Sequence, residues 1–245
     1  MTFRDRTDAG RQLAVAVQRL GLERPFVLGL TRGGVPVALE VARALKADLD
    51  VLVVRKIGAP GFPEYAAGAL AEGGIVWVNP EAVGALGATE EEIARLADAE
   101  RLEVGRRVRA YRGDCPAPDL SGRAVVVVDD GVATGSTAHA AARAARALGA
   151  ARVVLAAPVI AAQSAPELRE EYDEVVALDY PEPFVAVGLW YERFQQLTDG
   201  DVVECLRRAR GEPADRGPGE LWDGEWIGPN PDDPGPPGAR RGEPT

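Results

Sequence analysis

The feature that most constrains the fold is a series of short, uninterrupted apolar runs separated by segments with helical patterning. These runs lack the strict alternation of apolar and polar residues that marks a strand with one face in water. Continuous apolar strands are typical of parallel sheets, whose two faces are both covered by helices. The sequence therefore predicts an α/β fold, a parallel β-sheet flanked by helices, with strands at 25–30, 49–54, 75–78, 124–130, 152–159 and 174–178.

Helical patterning fills the intervals between these runs. Residues 89–111 form the longest predicted helix, which begins at a capping box made by Thr89 and Glu92. The Gly- and Pro-rich stretch at 57–74 is predicted to be a long loop. Because ligands of such sheets bind beyond the carboxyl ends of the strands, the loops at that edge are the candidate site. The other helices are predicted at 8–20, 35–47, 136–148, 163–171 and 201–210.

Charge and composition restrict the partners that the chain can have. Its 245 residues include 28 Lys and Arg and 38 Asp and Glu, so the formal net charge is −10. This balance disfavours a nucleic-acid surface. The sequence has no apolar run long enough to span a membrane, and its N-terminus lacks the apolar core of a signal peptide. We therefore expect a cytoplasmic protein.

The last 35 residues, 211–245, differ from the rest of the chain. They hold 8 prolines, 8 glycines, 8 acidic residues and 3 basic ones. This composition predicts a disordered acidic tail that follows one domain at 1–210. Trp222 and Trp226 in the tail are interpreted either as a docking motif or as an incidental pair in a linker.

Histidine, cysteine and lysine are scarce in this chain. The only histidine, His139, argues against His-rich metal sites and a Ser-His-Asp triad, and we expect it to be exposed on its helix. Cys115 and Cys205 fit neither a disulfide framework nor a zinc site. The only lysines are Lys46 and Lys56, and Lys56 stands where a predicted strand ends.

The segment from Val125 to Thr137, VVVVDDGVATGST, carries the most chemical information. Four valines predict a buried strand, and Asp129 and Asp130 follow at its end. Glycines, hydroxyl groups and the free N–H groups of a helix N-terminus favour a phosphate, while adjacent carboxylates suit a vicinal diol. Together they favour a sugar phosphate over an ordinary strand-to-helix turn. The glycine and lysine spacings of a P-loop or a dinucleotide-binding fold are absent.

This segment resembles the signature of the type I phosphoribosyltransferases, which use 5-phosphoribosyl 1-pyrophosphate (PRPP). The resemblance covers roughly 8–210, and the strings RKIGAPGFPE, DDGVATGST and EPFVAVGLWYE are similar to a bacterial branch of the family. It implies the type I phosphoribosyltransferase-like fold, with a small hood at about 1–20 and 180–210. It also implies transfer of the phosphoribosyl group to a nitrogenous base, with pyrophosphate released and Mg²⁺ carried mainly by PRPP oxygens and water.

The resemblance assigns roles to the loops at the strand ends. Asp129 and Asp130 would hold the ribose hydroxyls and take part in catalysis. The 5′-phosphate would contact the residues that follow them, Gly131, Val132, Ala133, Thr134, Gly135, Ser136 and Thr137. The pyrophosphate would contact the loop after the first strand and the basic pair after the second, which are Thr31, Arg32, Gly33, Gly34, Arg55 and Lys56. Without the resemblance, the alternative for residues 31–34 is a tight strand-to-helix turn. The alternative for Arg55 and Lys56 is a solvated basic pair at the end of a strand.

The stretch 57–74 resembles the mobile loop that closes over PRPP in this family. Closure would exclude water from an intermediate that water destroys. Glu64 in this stretch is a candidate catalytic residue toward the incoming base, and the alternative is an ordinary exposed acid.

Residues 182–194, EPFVAVGLWYERF, resemble in part the base-binding segment of the 6-oxopurine phosphoribosyltransferases. Phe184 would stack on the base, Val185 would contact it through its backbone, and Trp190 would add stacking surface. The alternative is an aromatic core cluster. Those enzymes carry an acid where this chain has Ala133, and a purine-reading lysine that this chain lacks. The resemblance favours a purine-like base and leaves the acceptor open.

The leading hypothesis is a PRPP-dependent phosphoribosyltransferase, a pentosyltransferase of nucleotide metabolism. The second is a PRPP- or nucleotide-binding regulatory protein that retains the site and has lost turnover. The expected partners are PRPP, a small base and a second copy of the chain in a homodimer. Nucleic acid and membranes are not expected partners.

Overall fold

The computed structural model of this protein describes residues 2–59, 62–80, 84 and 89–212. The predicted tail, with Trp222 and Trp226, lies outside the described residues from position 213 onward. Within the described part of the chain, no helix is long and apolar enough to cross a membrane.

The described chain alternates strands and helices as the sequence predicts, except for a run of four strands between Asp48 and Val78. The strands are β1 (Phe26–Leu30), β2 (Asp48–Leu52), β3 (Val54–Ala59), β4 (Phe62–Ala71), β5 (Val76–Val78), β6 (Ala124–Val128), β7 (Arg152–Val159) and β8 (Glu174–Asp179). The helices are α1 (Arg6–Gln18), α2 (Gly34–Leu45), α3 (Glu90–Arg112), α4 (Ser136–Ala147), α5 (Ala165–Glu171) and α6 (Asp199–Ala209). The predicted capping box at the start of α3 is present, with Thr89 and Glu92 bonded reciprocally.

The main sheet has five strands in the order β2-β1-β6-β7-β8, and all its neighbouring pairs are parallel. From β1 the chain crosses to β2 on one side and later enters β6 on the other. The strand order therefore reverses between β1 and β6. In open α/β sheets such a switch point forms a crevice beyond the carboxyl ends of the two strands. The predicted α/β fold with a parallel sheet is confirmed.

Two apolar layers cover the main sheet, and β6 shows how the sequence divides between them. Val126 and Val128 join a buried cluster that includes α1 and α2, whereas Val125 and Val127 join a cluster that includes the alanines of α4. Successive side chains of a strand point to opposite faces, so four valines in a row supply both layers. Each buried valine contributes roughly 1.5–3 kcal/mol of transfer free energy.

The prediction of one strand at 49–54 followed by a loop at 57–74 is wrong. β2 ends at Leu52, and β3, β4 and β5 form a second, antiparallel sheet in the order β3-β4-β5. The second half of its middle strand, AAGALA, consists mostly of small residues in place of the β-branched ones that usually mark a strand. A Cβ on Gly68 would lie 2.4 Å from the Trp77 carbonyl oxygen, so the close pairing of β4 with β5 requires glycine.

A buried arginine joins the two sheets where the chain passes from β2 to β3. Arg112 at the end of α3 donates to Asp50 at 2.7 Å, to the Val51 carbonyl at 2.6 Å and to Glu72 at 2.8 Å. Glu72 also accepts from the Val53 N–H at 3.3 Å. Burial raises the pKa of Glu72, and the guanidinium opposes that shift. This network fixes the start of the second sheet against the main one.

The first residues of the chain pair with a segment near the end of the described domain. Phe3 donates to the Trp190 carbonyl and accepts from the Glu192 N–H, both at 2.8 Å. Phe3 is fully buried beside Tyr191, with ring centroids 5.6 Å apart. Of the segments predicted as a hood, α1 covers the main sheet, whereas α6 packs against α2 and α3.

Candidate functional site

A cavity of about 440 Å³ opens at the switch point of the main sheet. Its floor is formed by the loops that follow β1 and β6, as predicted from the sequence. One wall comes from the second sheet, and another from irregular segments near both ends of the domain. The lining residues are Arg6, Thr31, Arg32, Gly33, Lys56, Asp129, Asp130, Gly131, Val132, Ala133, Thr134, Gly135, Thr137, Val187, Phe194, Gln195, Gln196 and Leu197.

The loop after β6 presents an anion-binding surface to the cavity. Gly135 has a φ of +75°, a left-handed conformation that favours glycine, and α4 begins at the next residue. The N–H groups of the first turn of a helix lack intrahelical partners, and the helix dipole adds positive potential there. Six of the seven residues predicted to bind the 5′-phosphate line the cavity. Ser136 is buried behind them, with its hydroxyl 3.2 Å from that of Thr134.

The loop after β1 faces this surface across the cavity. Thr31, Arg32 and Gly33 line the cavity, and the peptide bond between Thr31 and Arg32 is cis. The Thr31 hydroxyl is buried without a hydrogen-bond partner among the described residues, as expected of a group that awaits a ligand. Gly34 lies behind the loop, where a Cβ would be 2.3 Å from the Val128 carbonyl oxygen.

Asp129 and Asp130 stand between these two loops. Burial, together with the neighbouring carboxylate of Asp130, raises the pKa of Asp129 well above its ordinary value. Burial also raises the pKa of Asp130, and the guanidinium of Arg6 opposes that shift. A Cβ on Gly33 would lie 2.2 Å from an oxygen of Asp130, so glycine is needed for this approach of the two loops. The charged forms of both acids would therefore be stabilised by a ligand that brings positive charge or donates hydrogen bonds from hydroxyl groups.

The adjacent basic pair predicted to bind pyrophosphate, Arg55 and Lys56, divides between two sides of β3, because alternate side chains of a strand face opposite sides. Lys56 of β3 lines the cavity and lies close enough to lower the pKa of Asp129. Arg55 is not among the lining residues. Its guanidinium pairs with Glu100 and lies 4.0 Å from Glu103, both on α3.

The three residues predicted to contact the base lie outside the cavity. Phe184 and Trp190 pack against a satellite core that contains Phe3 and Tyr191, and Val185 is 77% exposed. The apolar wall of the cavity is instead formed by other residues of the same region, Val187, Phe194 and Leu197. Other residues of this part of the chain therefore face the cavity, and contact of the segment with a base stays a prediction.

Sequence reasoning missed Arg6, the first residue of α1. Its Nε donates to Asp130 Oδ2 at 2.8 Å, and its Nη1 donates to the Gln195 carbonyl at 2.8 Å. The guanidinium carbon lies 4.0 Å from the centroid of the Phe194 ring. No local motif identifies Arg6 as a site residue, because its hydrogen-bond partners are 124 and 189 positions away in the chain.

Two other predictions concern Glu64, a candidate catalytic residue, and His139, which was expected to be exposed. Glu64 belongs to β4, and its side chain falls outside the described part of the structure. The expectation that His139 is exposed is wrong, because its ring is buried and stacks on Trp77 with centroids 4.7 Å apart. Burial lowers the pKa of His139, which favours the neutral ring behind the loop at Gly135.

Comparisons with known proteins agree with this geometry. Residues 5–191 match the model of the phosphoribosyl transferase domain family. Proteins from two Mycobacterium tuberculosis strains, whose names carry the description phosphoribosyl transferase, are 46% identical over 218 residues. The match covers 88% of this chain and 48% of each relative, so the chain spans about half of their length.

A solved structure gives the same result at the level of the fold. The crystal structure of TT1426 from Thermus thermophilus is 47% identical in sequence. It superposes with a TM-score of 0.74 over 85% of this chain and 99% of that chain. The family match extends over most of the described domain and includes both strand-end loops. The protein therefore belongs to the phosphoribosyl transferase family.

Proposed function

We propose that this protein transfers the 5-phosphoribosyl group of PRPP to a nitrogen of a purine-like base and releases pyrophosphate. The observation that carries the proposal is the meeting of an anion-binding helix N-terminus, two adjacent carboxylates and a second backbone loop around one cavity. A sugar that carries a phosphate, a diol and a diphosphate matches these three groups in type and number.

In this proposal each part of PRPP has its own partners. The 5′-phosphate lies in the loop from Gly131 to Thr137, where backbone N–H groups and hydroxyls donate to it. The ribose hydroxyls donate to Asp129 and Asp130. The diphosphate lies against the loop from Thr31 to Gly34, with the ammonium group of Lys56 beside it.

The chemistry then follows from charge. The bond between ribose C1 and the diphosphate oxygen breaks, a bond from C1 to the base nitrogen forms, and the base loses its N–H proton. Positive charge develops on the ribose ring in the transition state, close to the two carboxylates, while Lys56 and the backbone of the first loop stabilise the leaving diphosphate. Bound Mg²⁺ would supply further positive charge to the diphosphate, held mainly by PRPP oxygens and water.

The acceptor is proposed to lie against Val187 and Phe194. An apolar and aromatic wall suits a flat heterocycle, which supports a purine-like base. Ala133 offers no side chain for proton transfer, and Asp129 and Asp130 are the only acids among the described lining residues. The proton of the base therefore leaves to one of these carboxylates, to water, or to Glu64 of β4.

One observation favours a second function, a regulatory protein that binds PRPP or a nucleotide without turnover. The described part of the cavity wall next to Phe194 carries no acid of its own, and Arg6 already engages Asp130. A binding protein needs no proton acceptor at that wall. The two functions share the PRPP site and differ only in the release of pyrophosphate.

Calorimetric titration with PRPP and Mg²⁺ tests what the two functions share. We expect saturable binding to one site per chain, and no binding at millimolar PRPP would overturn both. A screen of purine and pyrimidine bases for pyrophosphate release then separates them. Release with one base supports the transferase, whereas tight PRPP binding with no release from any base supports the regulator.

A further inference from the structure

Arg6 links the two halves of the cavity through a single guanidinium. One of its nitrogens donates to Asp130, which belongs to the proposed ribose subsite. Another donates to the Gln195 carbonyl in the acceptor wall, and the plane lies over Phe194 of the same wall. The side chain is only 11% exposed, so these contacts are sheltered from solvent.

The position of Arg6 is not explained by the stability of its helix. It is the first residue of α1, where the helix dipole disfavours a cation and favours an acid. The acids that suit this helix end are present, since Asp5 caps the helix and Asp8 lies in its first turn. The contacts of Arg6 in the cavity, and not the stability of the helix, therefore explain a cation at this position.

The charges around Asp130 show what Arg6 contributes. Asp129 is the adjacent acid, and Arg32 and Lys56 line the same cavity. The Tyr191 hydroxyl donates at 2.6 Å to the main-chain carbonyl of Asp130 and not to its carboxylate. Among the described residues, Arg6 is the cation in hydrogen-bond contact with that carboxylate. Burial acts to protonate Asp130, and Arg6 acts against it.

We propose that Arg6 is a positioning residue, which holds Asp130 ionised and oriented toward the ribose hydroxyls and ties the acceptor wall to the same carboxylate. The proposal rests on the proposed PRPP site. An ionised carboxylate accepts hydrogen bonds from both hydroxyls of a diol, whereas a protonated one loses part of that capacity. The ribose subsite and the acceptor wall are thereby assembled by one side chain.

The test is the pH dependence of PRPP affinity, measured by calorimetry with Mg²⁺ between about pH 5.5 and pH 8, because a carboxyl group with a raised pKa loses its charge more readily as the pH falls. Arg6→Gln removes the charge, Arg6→Lys retains it, and Arg193→Gln is the matched control. Arg193 lies in the same paired segment, is 54% exposed and bonds to Asp5 at 2.8 Å, outside the cavity. Dividing each dissociation constant by the wild-type value at the same pH cancels the titration of PRPP itself.

We expect Arg6→Gln to weaken PRPP binding about tenfold at pH 6, with the deficit shrinking as the pH rises and Asp130 regains its charge. Arg6→Lys should restore most of the affinity, and Arg193→Gln should follow the wild type. A constant ratio of Arg6→Gln to wild type at every pH would overturn the proposal, because loss of structure alone has no reason to follow the charge of Asp130.

A measurement without ligand separates this proposal from the proposed function. In a double-mutant cycle of Arg6→Gln and Asp130→Asn, the two changes should be non-additive in the free energy of unfolding at about pH 7. Additive changes would mean that the pair does not interact and would overturn the role of Arg6. A wild-type protein that fails to bind PRPP overturns the proposed function, and the ribose role of Arg6 with it, even where the coupling is found.

Discussion

The two sides of the cavity are built in different ways. The side proposed for PRPP consists of two short loops that follow neighbouring strands of the main sheet, with backbone groups and glycines as its main elements. The side proposed for the acceptor consists of Arg6 and irregular residues between Val187 and Leu197, with side chains as its main elements. The first is set by the register of the sheet, and the second by contacts between distant parts of the chain.

This difference separates what is shared from what can vary. Apart from its two acids and Lys56, a site made from backbone at a sheet switch point depends little on individual side chains, which suits a common donor such as PRPP. A wall made from side chains on irregular segments can be changed one residue at a time, which suits selection among acceptors. The following variants test that division.

The largest effect is expected from the two carboxylates of the donor side. Asp129→Asn together with Asp130→Asn replaces charged acceptors by neutral amides. Hydrogen bonds to charged groups contribute about 1.5–3 kcal/mol each, so PRPP affinity should fall about 100-fold or more in a calorimetric titration. Asp98→Asn on the surface of α3 is the control, since it loses an exposed pair with Arg101. Unchanged affinity in the double variant would make the two acids structural.

A smaller effect is expected from the contact between the two donor loops. In Gly33→Ala the new Cβ would meet the Asp130 carboxylate, although the φ of −59° suits any residue. We expect the free energy of unfolding to fall by about 1–3 kcal/mol and PRPP affinity to fall with it. Chemical denaturation and calorimetry measure the two quantities.

Gly105→Ala in α3 is the matched control for this glycine. The nearest group to its new Cβ would be the Arg109 side chain at 3.7 Å. It should raise the free energy of unfolding by about 0.5–1 kcal/mol, because alanine favours a helix interior. Should Gly33→Ala behave like this control, the close approach of the loops would not be needed for binding.

On the acceptor side, Phe194→Ala should raise the KM for the base about threefold to tenfold, because an aromatic contact contributes roughly 0.5–1.5 kcal/mol. The KM for PRPP should change less. Val185→Ala is the control, since this exposed residue belongs to the same segment and does not line the cavity. An unchanged KM for the base in Phe194→Ala would mean that the base does not lie against this ring. Steady-state kinetics with the accepted base gives both constants.

The smallest effect concerns stability and pH. Because the folded protein raises the pKa of Asp129 above the ordinary value of about 4, ionising this acid costs stability as the pH rises. Asp129→Asn should therefore be more stable than the wild type at pH 8, by roughly 1 kcal/mol or more in the free energy of unfolding. The gain should vanish below about pH 4, where the acid is protonated in both the folded and the unfolded wild type. Thermal unfolding across this range checks the sign.

The same division explains how much could be predicted from sequence. The main sheet was predictable because a run of four valines, as in β6, places apolar side chains on both faces of a strand. Such a strand is stable only where both faces are covered. The position of the loop after β6 at the cavity was predictable because its glycines and hydroxyls stand together in the chain, directly after a buried strand. The β3–β4 hairpin was missed because its strands use alanine and glycine, which are usually assigned to loops.

The residues of the acceptor wall could not be predicted from the local sequence, because contacts between distant parts of the chain determine which side chains face the cavity. Phe184 packs against the cluster that contains Phe3 and Tyr191, whereas Phe194 lines the cavity, and these tertiary contacts cannot be read from the local sequence. Arg6 is one arginine among 26, and nothing near it in sequence distinguishes it. Its contact with Asp130 becomes visible only in the folded structure.

The pairing of the chain's first residues with residues 190–193 has a consequence for protein synthesis. The ribosome produces Arg6 before its partners Asp130 and Gln195, which are made 124 and 189 residues later. The loops after β1 and β6 can meet as soon as β6 has been made, so the donor half can form first. The acceptor half closes only when both ends of the domain are present, which makes it one of the last parts of the molecule to be completed.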